Sequence, residues 1–377
     1  MKKLCTTGAA LLLTTTSAGA VGLDRSNQDI TAIFEDGNYV ELSFGAIMPS
    51  VTGNDLASGQ DYGNVALDFS QLGASLKMDY GTNTSFALII DQPFGADISY
   101  PDNPATPLLE GTSAELNSIA FTAVGRYEFT PNFSVHGGVR AETLDANISL
   151  GGLAYGGLDG YNVSLDSSTA FGYLVGAAYE RPDIALRLAI TYNSAMTHEF
   201  DSVETINGIG VDVLTGGAFS ATSVTSVDTP EAINIDFQTG IMADTLLFGS
   251  VRYAVYEDVI VSPEFFAAQT GGGSLTDIDT GTSYNLGVGR RFSDAFSASF
   301  SVGYEEPGDP LVSPLSPSNG LVSVALGGQY SFDNVVLSGG VRYTSLGDAQ
   351  PETSGAARAD FTDNDVLSVG MSIGYRF

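Results

Sequence analysis

The 377-residue chain lacks the long apolar runs of a helical membrane protein, because no stretch approaches the ~18 consecutive apolar residues that a spanning helix needs. It also lacks tryptophan, and its one cysteine is Cys5. Lysine and arginine number only 14 against 44 aspartates and glutamates, which gives a formal net charge of −30. Such a chain repels nucleic acid, so DNA and RNA binding are excluded.

The first twenty residues have the composition of a secretory signal. Lys2 and Lys3 precede a short apolar run over 4–13, and Ala18-Gly19-Ala20 resembles a small-residue cleavage site. We therefore predict a signal peptide over 1–20, cleaved near Ala20. The remaining chain would contain no cysteine, which excludes disulfides and thiolate chemistry.

The strongest positive signal is the segment 367–377, where apolar residues alternate strictly with small or polar ones. This period of two predicts a strand with one apolar face, and about ten residues suffice to cross a bilayer when tilted. A final aromatic residue, Phe377, is typical of bacterial outer-membrane barrels, whose last strand is expected to contact the barrel assembly machinery.

Connections of two lengths alternate along the chain. Six short ones consist of turn-forming residues, and seven long ones are acidic and rich in glycine and proline. The short ones lie near 80–83, 129–132, 180–183, 243–245, 292–295 and 332–334, and the long ones near 49–69, 95–115, 145–167, 198–217, 257–281, 305–319 and 345–364. Together they join fourteen strands, so we predict an all-β, transmembrane, antiparallel barrel with short turns at one end and long loops at the other.

The predicted strands alternate apolar and small residues, as in 40–48, 119–129, 184–192 and 296–304. Their apolar faces are expected to contact lipid, with tyrosine and phenylalanine near the strand ends as aromatic girdles. The inward faces carry isolated arginines: Arg140, Arg187, Arg252, Arg342 and Arg376. These arginines either pair with wall carboxylates such as Glu142 and Asp236 or form a cationic lining that attracts an anionic head group, and the two readings are compatible.

Catalysis and metal binding have weak support in the sequence. His136 and His198 are its only histidines, and neither lies in a motif that supplies a nucleophile or a ligand set. The segment 277–281 resembles the opening of a calcium loop but lacks the spacing and closing glutamate of an EF-hand. We predict no enzyme activity, no metal and no cofactor.

Several segments together resemble the outer-membrane transport family that includes the long-chain fatty acid transporter FadL and the toluene transporter TodX. These segments are 114–117, 124–134, 171–180, 189–194, 229–231 and 303–332, followed by the closing strand. The resemblance covers most of 27–377, and the order of these segments along the chain supports it more than any single motif does. Pro230 within the segment 229–231 predicts a local kink or bulge, because proline removes a ladder hydrogen bond.

The resemblance implies a fourteen-strand barrel with an N-terminal plug and a lateral exit at a kink in the third strand. Here a shortened plug would occupy 21–37, with Ile30, Ile33 and Phe34 as its apolar residues, before a barrel over 38–377. The third strand ends in a segment where pairing could break, or where Pro93 merely ends the strand. The predicted lateral gate is Gln92, Pro93, Phe94 and Gly95.

We expect a monomeric barrel in a bacterial outer membrane. The resemblance implies that its function is passive uptake of hydrophobic compounds, with long-chain fatty acids as the leading class. The expected partners are the hydrophobic ligand and outer-membrane lipid or lipopolysaccharide. Candidate ligand contacts are Leu108, Leu109, Phe265, Phe266, Leu311 and Val312 in loops and Arg140, Arg187 and Arg252 in the lumen. The loop residues could equally pack on each other. The alternatives are a small-solute porin, a barrel hydrolase, and a structural or adhesive barrel.

Overall fold

The computed structural model describes residues 23–377, so the predicted signal peptide and the start of the predicted plug lie outside the described residues. The described chain forms a closed barrel of fourteen antiparallel strands, as the sequence predicts. Closure comes from pairing of the first strand with both the second and the last.

The strands are numbered β1 to β14 in chain order, and three of them are interrupted. They are β1 Tyr39–Ser50, β2 Phe69–Tyr80, β3 Thr84–Asp91 continued by Ala96–Ser99, β4 Ser113–Thr130, β5 Phe133–Leu150, β6 Tyr161–Arg181, β7 Leu186–Asn193 continued by Met196–Ile206, β8 Thr222–Thr229 continued by Ala232–Met242, β9 Thr245–Ala254, β10 Gly281–Arg291, β11 Phe296–Glu305, β12 Leu321–Phe332, β13 Val335–Leu346 and β14 Asp365–Arg376. Each strand pairs with its neighbours in sequence, which gives an up-and-down barrel.

The outer surface of the barrel is apolar because the alternation places one face of every strand outward. Along β14 the residues Leu367, Met371 and Ile373 are exposed, whereas Val366 and Ser368 are buried. The same alternation holds along β1, β4, β7 and β11, where the predicted apolar faces are exposed. A continuous exposed apolar surface of this kind suits lipid and would be costly in water.

Two rings of exposed aromatic side chains border the apolar surface. The outer ring contains Tyr173, Tyr253, Tyr284, Tyr304 and Tyr343, and the inner ring contains Tyr80, Tyr127, Phe129, Phe133, Phe292, Phe296, Tyr330, Phe332, Tyr375 and Phe377. Tyrosine and phenylalanine thus provide the girdles in the absence of tryptophan. Within residues 23–377, no helix is both long and apolar enough to cross a membrane.

The prediction of loops over 145–167 and 198–217 is wrong for much of their length, because many of these residues belong to strands. Strand β5 continues to Leu150, β6 begins at Tyr161, and β7 continues to Ile206. In these extensions acidic residues such as Asp166 and Glu199 are exposed on the outer face, while Leu165 and Phe200 are buried in the lumen. The composition of these segments is typical of loops, but their acidic residues lie on the outer face of strands that extend beyond the apolar band.

Three strands, β3, β7 and β8, are interrupted, on the side of the barrel that contains the longest strands. Strand β8 breaks at Pro230 and Glu231, opposite the break of β7 at Ser194 and Ala195. The predicted kink at Pro230 is therefore present as a full break, and the pairing of β7 with β8 resumes on either side of it. Strand β3 breaks between Asp91 and Ala96.

The described part of the N-terminal segment, residues 23–37, lies inside the barrel. A short 3-10 helix, Thr31–Phe34, places Ile30, Ile33 and Phe34 against luminal side chains of β3 to β7, which include Ala87, Val124, Leu174 and Ala189. The apolar residues of the segment therefore pack on one half of the wall.

The long loops pack on one another above the barrel and contain most of the remaining structure. A two-stranded sheet joins Gly53–Asp55 to Ala359–Phe361, and Leu311–Val312 pairs with Gln350–Thr353. The helical turns of these loops are Leu153–Leu158, Val211–Leu214 and Glu264–Thr270, and Pro182–Ile184 lies in a turn at the other end. Buried aromatic residues, including Tyr62, Tyr100 and Phe361, form the centre of the loop layer.

Candidate functional site

An apolar cavity lies beneath the loops, between the extended strands and the loop 255–280. We call it the outer cavity. It encloses about 850 Å³ not occupied by protein atoms, its open mouth included. Its walls include Leu116, Leu144, Leu165, Val261 and Leu275, and almost no polar atom faces its interior.

The ionisable side chains around the outer cavity are two carboxylates, one histidine and the tyrosine Tyr256. Glu115, Asp228 and His198 contribute to its walls, and neither lysine nor arginine does so. Transferring a carboxylate into such surroundings without a cation or donor is costly. The cavity is therefore suited to uncharged apolar molecules.

The inner end of the outer cavity is formed by the break in β3. Phe94 is buried and lines the cavity together with Ala96. The Ser118 hydroxyl of β4 replaces the missing ladder bonds, since the Phe94 N–H donates to it at 2.8 Å and it donates to the Phe94 carbonyl at 2.5 Å. Serine on the neighbouring strand thus holds an unpaired segment in place.

On its other side, the broken segment leaves a gap in the barrel wall, which we call the wall window. Backbone pairing of β2 with β3 ends at Ala74 and Ile90, and a backbone bridge forms again only between Ala66 and Ile98. Residues 69–73 of β2 therefore face residues 92–96 without a ladder. The sequence-predicted gate, 92–95, coincides with this break, although its role as a gate stays a prediction.

Gln92 bridges the wall window with two hydrogen bonds. Its Oε1 accepts from the Leu72 N–H at 2.9 Å, and its carbonyl accepts from Gln71 Nε2 at 3.3 Å. Both bonds use an amide side chain where an intact sheet would use only backbone groups. The window is closed, yet by contacts that can separate without breaking a strand pair.

The window lies in the outer half of the apolar band. Leu72 is in register with Phe44, and Phe44 with Met371, near the middle of β14. Tyr343 of the outer girdle is in register with Leu367, further out along the same strand. The window thus extends from the middle of the band towards the outer girdle.

The N-terminal segment is bonded to the broken part of β3. The Arg25 N–H donates to the Pro93 carbonyl at 2.7 Å, and the Gly95 N–H donates to the Leu23 carbonyl at 3.0 Å. The Arg25 guanidinium pairs with Asp97 and lies 4.0 Å from the centre of the Phe69 ring. A side chain at position 95 would require this guanidinium to move, because a Cβ there would lie about 2.1 Å from its central carbon.

The luminal arginines contact mainly the N-terminal segment, and not the wall carboxylates that the sequence suggested as their partners. Arg252 pairs with Asp24, with Nε–Oδ2 at 2.6 Å, and Arg376 pairs with Glu35 at 2.9 Å. Arg187 lies over the Phe34 ring at 4.8 Å. These residues hold the segment that the sequence predicts to be a plug.

The other predicted luminal partners have different neighbours. Arg140 donates to Thr122 Oγ1 at 2.9 Å and to Asn193 Oδ1 at 3.1 Å. Glu142 faces His198, with Oε1 and Nε2 3.4 Å apart. Arg342 lies on the inward face of β13, beside the polar chamber described below.

The predicted loop contacts pack within the loop layer. Phe265 and Phe266 are buried beside the outer cavity, and both N–H groups donate to the buried carboxylate of Glu204. Leu109 is buried in the aromatic centre of the loops, with Leu108 and Val312 packed against it, and Leu311 is partly buried. Whether any of them contacts a ligand stays a prediction.

Both histidines have ordinary polar neighbours. His136 Nε2 lies 2.9 Å from Thr191 Oγ1, and His198 Nδ1 lies 3.2 Å from the Ser168 carbonyl. Neither arrangement places a histidine against a serine hydroxyl in the manner of a hydrolase.

A polar chamber occupies the half of the lumen that the N-terminal segment leaves free. Its walls carry Ser, Asn and Gln side chains of β1, β2, β8 to β10, β12 and β13, together with Asp236, Arg342 and polar residues of the N-terminal segment. At its outer end, Ile47, Leu346 and Val366 belong to the apolar centre of the loop layer. The chamber is thus far more polar than the outer cavity and is roofed by apolar side chains.

Several solved structures of transport barrels have this architecture. A FadL homologue from Pseudomonas aeruginosa superimposes with a TM-score of 0.74 at 14% identity, covering 95% of this chain and 96% of that one. The toluene transporter TodX from Pseudomonas putida gives a TM-score of 0.64 at 11% identity, covering 97% of each chain. The toluene transporter TbuX from Ralstonia pickettii gives 0.61 at 12% identity, covering 96% and 97%.

The sequence itself matches no family model and no curated protein. The chain therefore has the fold of the FadL and TodX transport barrels, and the resemblance seen in its sequence is confirmed at the level of fold. The similar structures are transporters and channels rather than enzymes.

Sequence reasoning missed the apolar wall of the outer cavity and the serine that holds the break. Several cavity residues lie in strand extensions whose acidic outer faces resemble loops in composition, and this composition obscures the alternation of their apolar inner faces. Ser118 alternates inward from the apolar Ile119, and a polar residue beside a predicted break was the available signal.

Proposed function

We propose that this protein is an outer-membrane channel for the passive uptake of hydrophobic compounds. One observation carries the proposal: an almost wholly apolar cavity beneath the loops ends at Phe94, in the break beside the wall window. Such a path keeps an apolar solute out of water between the loops and the membrane interior. The transport barrels of similar fold support the same general function.

The contrast between the two compartments favours lateral exit. A solute that passes Phe94 meets a polar chamber below and lipid beyond the wall window. Transfer of apolar surface into lipid is favourable by about 25 cal/mol per Å². Transfer towards the polar and charged side chains of the chamber gains less. Exit through the window into the outer half of the membrane is therefore the favoured direction.

The chemistry of the cavity favours uncharged compounds such as hydrocarbons. Its ionisable wall residues, Glu115, Asp228 and His198, provide no fixed cation for a carboxylate. Long-chain fatty acids, the class expected from the sequence, remain the second candidate because the cavity could hold their apolar tails. The ranking rests on the desolvation cost of the carboxylate.

Uptake by whole cells tests the proposal. Cells that lack their own transporter for these compounds would express the protein or carry an empty vector, and uptake of radiolabelled naphthalene and oleate would be measured at matched free concentrations. The folded barrel is verified by its heat-shifted gel mobility. We expect increased naphthalene uptake and a smaller effect on oleate. Folded protein without an increase for either compound would refute hydrophobic transport, and an oleate preference would reverse the ranking.

A further inference from the structure

Arg342 lies on the wall of the polar chamber without a partner among residues 23–377. Its side chain is half-buried, its Nε has no hydrogen-bond acceptor, and no carboxylate of the described chain pairs with its guanidinium. The other luminal arginines described above contact a carboxylate, an amide or an aromatic ring. Because an uncompensated charge inside a protein is costly, an unpaired guanidinium that borders a chamber indicates a site for an anion.

Two buried hydroxyls flank this arginine. Thr344 is 1% exposed and Ser368 is fully buried, and neither Oγ atom has a hydrogen-bond partner in the described chain. Ser368 is in register with Arg342 on the neighbouring strand β14, where side chains of paired residues lie about 5 Å apart at Cβ. Thr344 follows Arg342 by two positions on β13, so it points to the same inward face. We call these three residues the Arg342 cluster.

A row of glycines leaves space beside the Arg342 cluster. Gly327, Gly340 and Gly370 are in register across β12, β13 and β14, one step closer to the short turns than Arg342. Ala325 is in register with Arg342 on β12. Because the glycines have no side chains, the guanidinium adjoins bare backbone, and a ligand of a few atoms meets no bulky group there.

The chamber is closed towards the loops and extends towards the short turns. The apolar roof described above covers its outer end, whereas its walls continue to Gln329 and Ser338, close to the turn 332–334. Ser338 is half-buried. A ligand of the Arg342 cluster would therefore enter from the end with the short turns. The polar walls along this path favour a water-soluble ligand over one with an apolar tail.

The three donor groups favour a tetrahedral anion over a carboxylate. A guanidinium binds an oxyanion through two parallel N–H bonds, which occupy both oxygens of a carboxylate. A tetrahedral oxyanion has further oxygens, and these can accept from the hydroxyls of Thr344 and Ser368. The chain as a whole is strongly acidic and repels anions, so binding would depend on these direct contacts.

We propose that Arg342, Thr344 and Ser368 form a binding site for inorganic phosphate in the polar chamber. The site is reached from the end with the short turns, which is the periplasmic end of the predicted barrel. It lies apart from the outer cavity and does not depend on the proposed transport of hydrophobic compounds. The lumen thus contains two compartments that bind ligands of opposite character.

Phosphate binding by the purified full-length barrel tests the site. Equilibrium dialysis with radiolabelled phosphate measures affinity in solution, and crystals soaked with selenate, a tetrahedral oxyanion, are examined for anomalous selenium density. We expect saturable phosphate binding and selenium density beside the Arg342 guanidinium. Decanoate should not displace the phosphate, because its tail would lie against polar walls.

Arg342→Gln removes the charge and should weaken phosphate binding by at least about tenfold, the effect of losing charge-assisted hydrogen bonds. Arg181→Gln is the matched control, because it makes the same change in net charge at an exposed turn residue that pairs with Asp183. It should bind phosphate as the wild type does. Heat-shifted gel mobility verifies that each variant is folded.

Thr344→Val tests the site without altering its charge. Valine keeps the shape of threonine and removes the hydroxyl, so phosphate binding should weaken about fivefold, the effect of losing one hydrogen bond. This variant also keeps the test decisive if Arg342→Gln does not fold.

Three results would overturn the proposal. The first is selenium density at crystal concentration without saturable binding in solution, which would mean an adventitious ion only. The second is phosphate binding by folded Arg342→Gln or Thr344→Val as tight as that of the wild type. The third is binding of decanoate but not of phosphate, which would assign Arg342 to the head group of an amphiphile. Phosphate binding by a protein that does not take up naphthalene would contradict only the proposed transport function.

Discussion

At the residue scale, Asp55 organises the outer loops. Its side chain is fully buried and accepts hydrogen bonds from the N–H groups of Ala57, Ser58 and Leu108 and from the Tyr62 hydroxyl. Burial opposes ionisation of the carboxyl, but these donors outweigh it and lower its pKa below the ordinary value of 3.8. One carboxylate thereby joins the loop 51–68 to the loop 100–112.

The lowered pKa gives the loop layer a defined pH dependence. A carboxyl whose pKa is lower in the folded state stabilises it fully above the ordinary value and loses that contribution as the pH falls through the lowered value. We expect the loops to resist proteolysis from pH 7 to pH 5, and to open only below about pH 4 as Asp55 is protonated. Limited proteolysis with pepsin below pH 4, compared with a neutral protease above it, measures this.

Asp55→Asn should weaken the loop layer at every pH, because the amide cannot accept all of these bonds and an unsatisfied buried donor costs about 1–3 kcal/mol. Hydrogen exchange of the amides at 57, 58 and 108 should become faster at neutral pH. Asp102→Asn, at an exposed position of the same layer, is the control and should not change it. Unchanged exchange in Asp55→Asn would show that the loops do not depend on this carboxylate.

At the scale of the element, the break in β3 is the feature with the most consequences. Strand β3 is held on its β4 side by Ser118 and across the wall window by Gln92. Side-chain bonds have replaced ladder bonds on both sides, so this segment can move without the barrel opening elsewhere. The breaks in β7 and β8 differ, because they face each other and the strands pair on both sides of them.

A reversible cross-link tests whether the wall window must open during transport. In the double variant Leu72→Cys and Gln92→Cys, a disulfide between the two cysteines would hold the window closed. The only other cysteine of the chain is Cys5, within the predicted signal peptide. Cells that express the double variant should lose most naphthalene uptake after treatment with an oxidant, and a reductant should restore the uptake. Each single variant serves as a control that cannot form the bridge. Full uptake by the oxidised double variant would show that solutes leave by another route.

At the scale of the whole molecule, the position of the barrel in the membrane follows from its two aromatic girdles. Leu326 and Val213 are both highly exposed apolar residues, yet Leu326 lies between the girdles and Val213 lies in the loop helix Val211–Leu214. Exposure alone does not distinguish them, whereas their height along the barrel does.

Single tryptophan variants can test this position because the chain contains no tryptophan of its own. In vesicles containing brominated lipid, fluorescence of Leu326→Trp should be strongly quenched, since bromine on the acyl chains reaches the apolar band. Fluorescence of Val213→Trp should be nearly unaffected. Equal quenching at both positions would place the loop layer in the membrane and contradict the assignment of the girdles.

The sequence alone determined the kind of fold. Strict alternation in 367–377 and similar segments specifies which face of each strand contacts lipid, and this property requires no knowledge of the neighbouring strands. The strand count and the break near Pro93 were likewise predictable, because short turns and prolines are local signals.

Only the tertiary structure decided how the interior is divided. The outer cavity combines β4 to β8 with the loops 255–280 and 306–320, and Arg252 meets Asp24 across 228 positions of sequence. The acidic outer faces of the extended strands obscured their apolar inner faces, and nothing local indicates which loops will pack together. Local alternation fixes the wall, but the cavities depend on contacts between distant segments, and those contacts form only when the barrel closes.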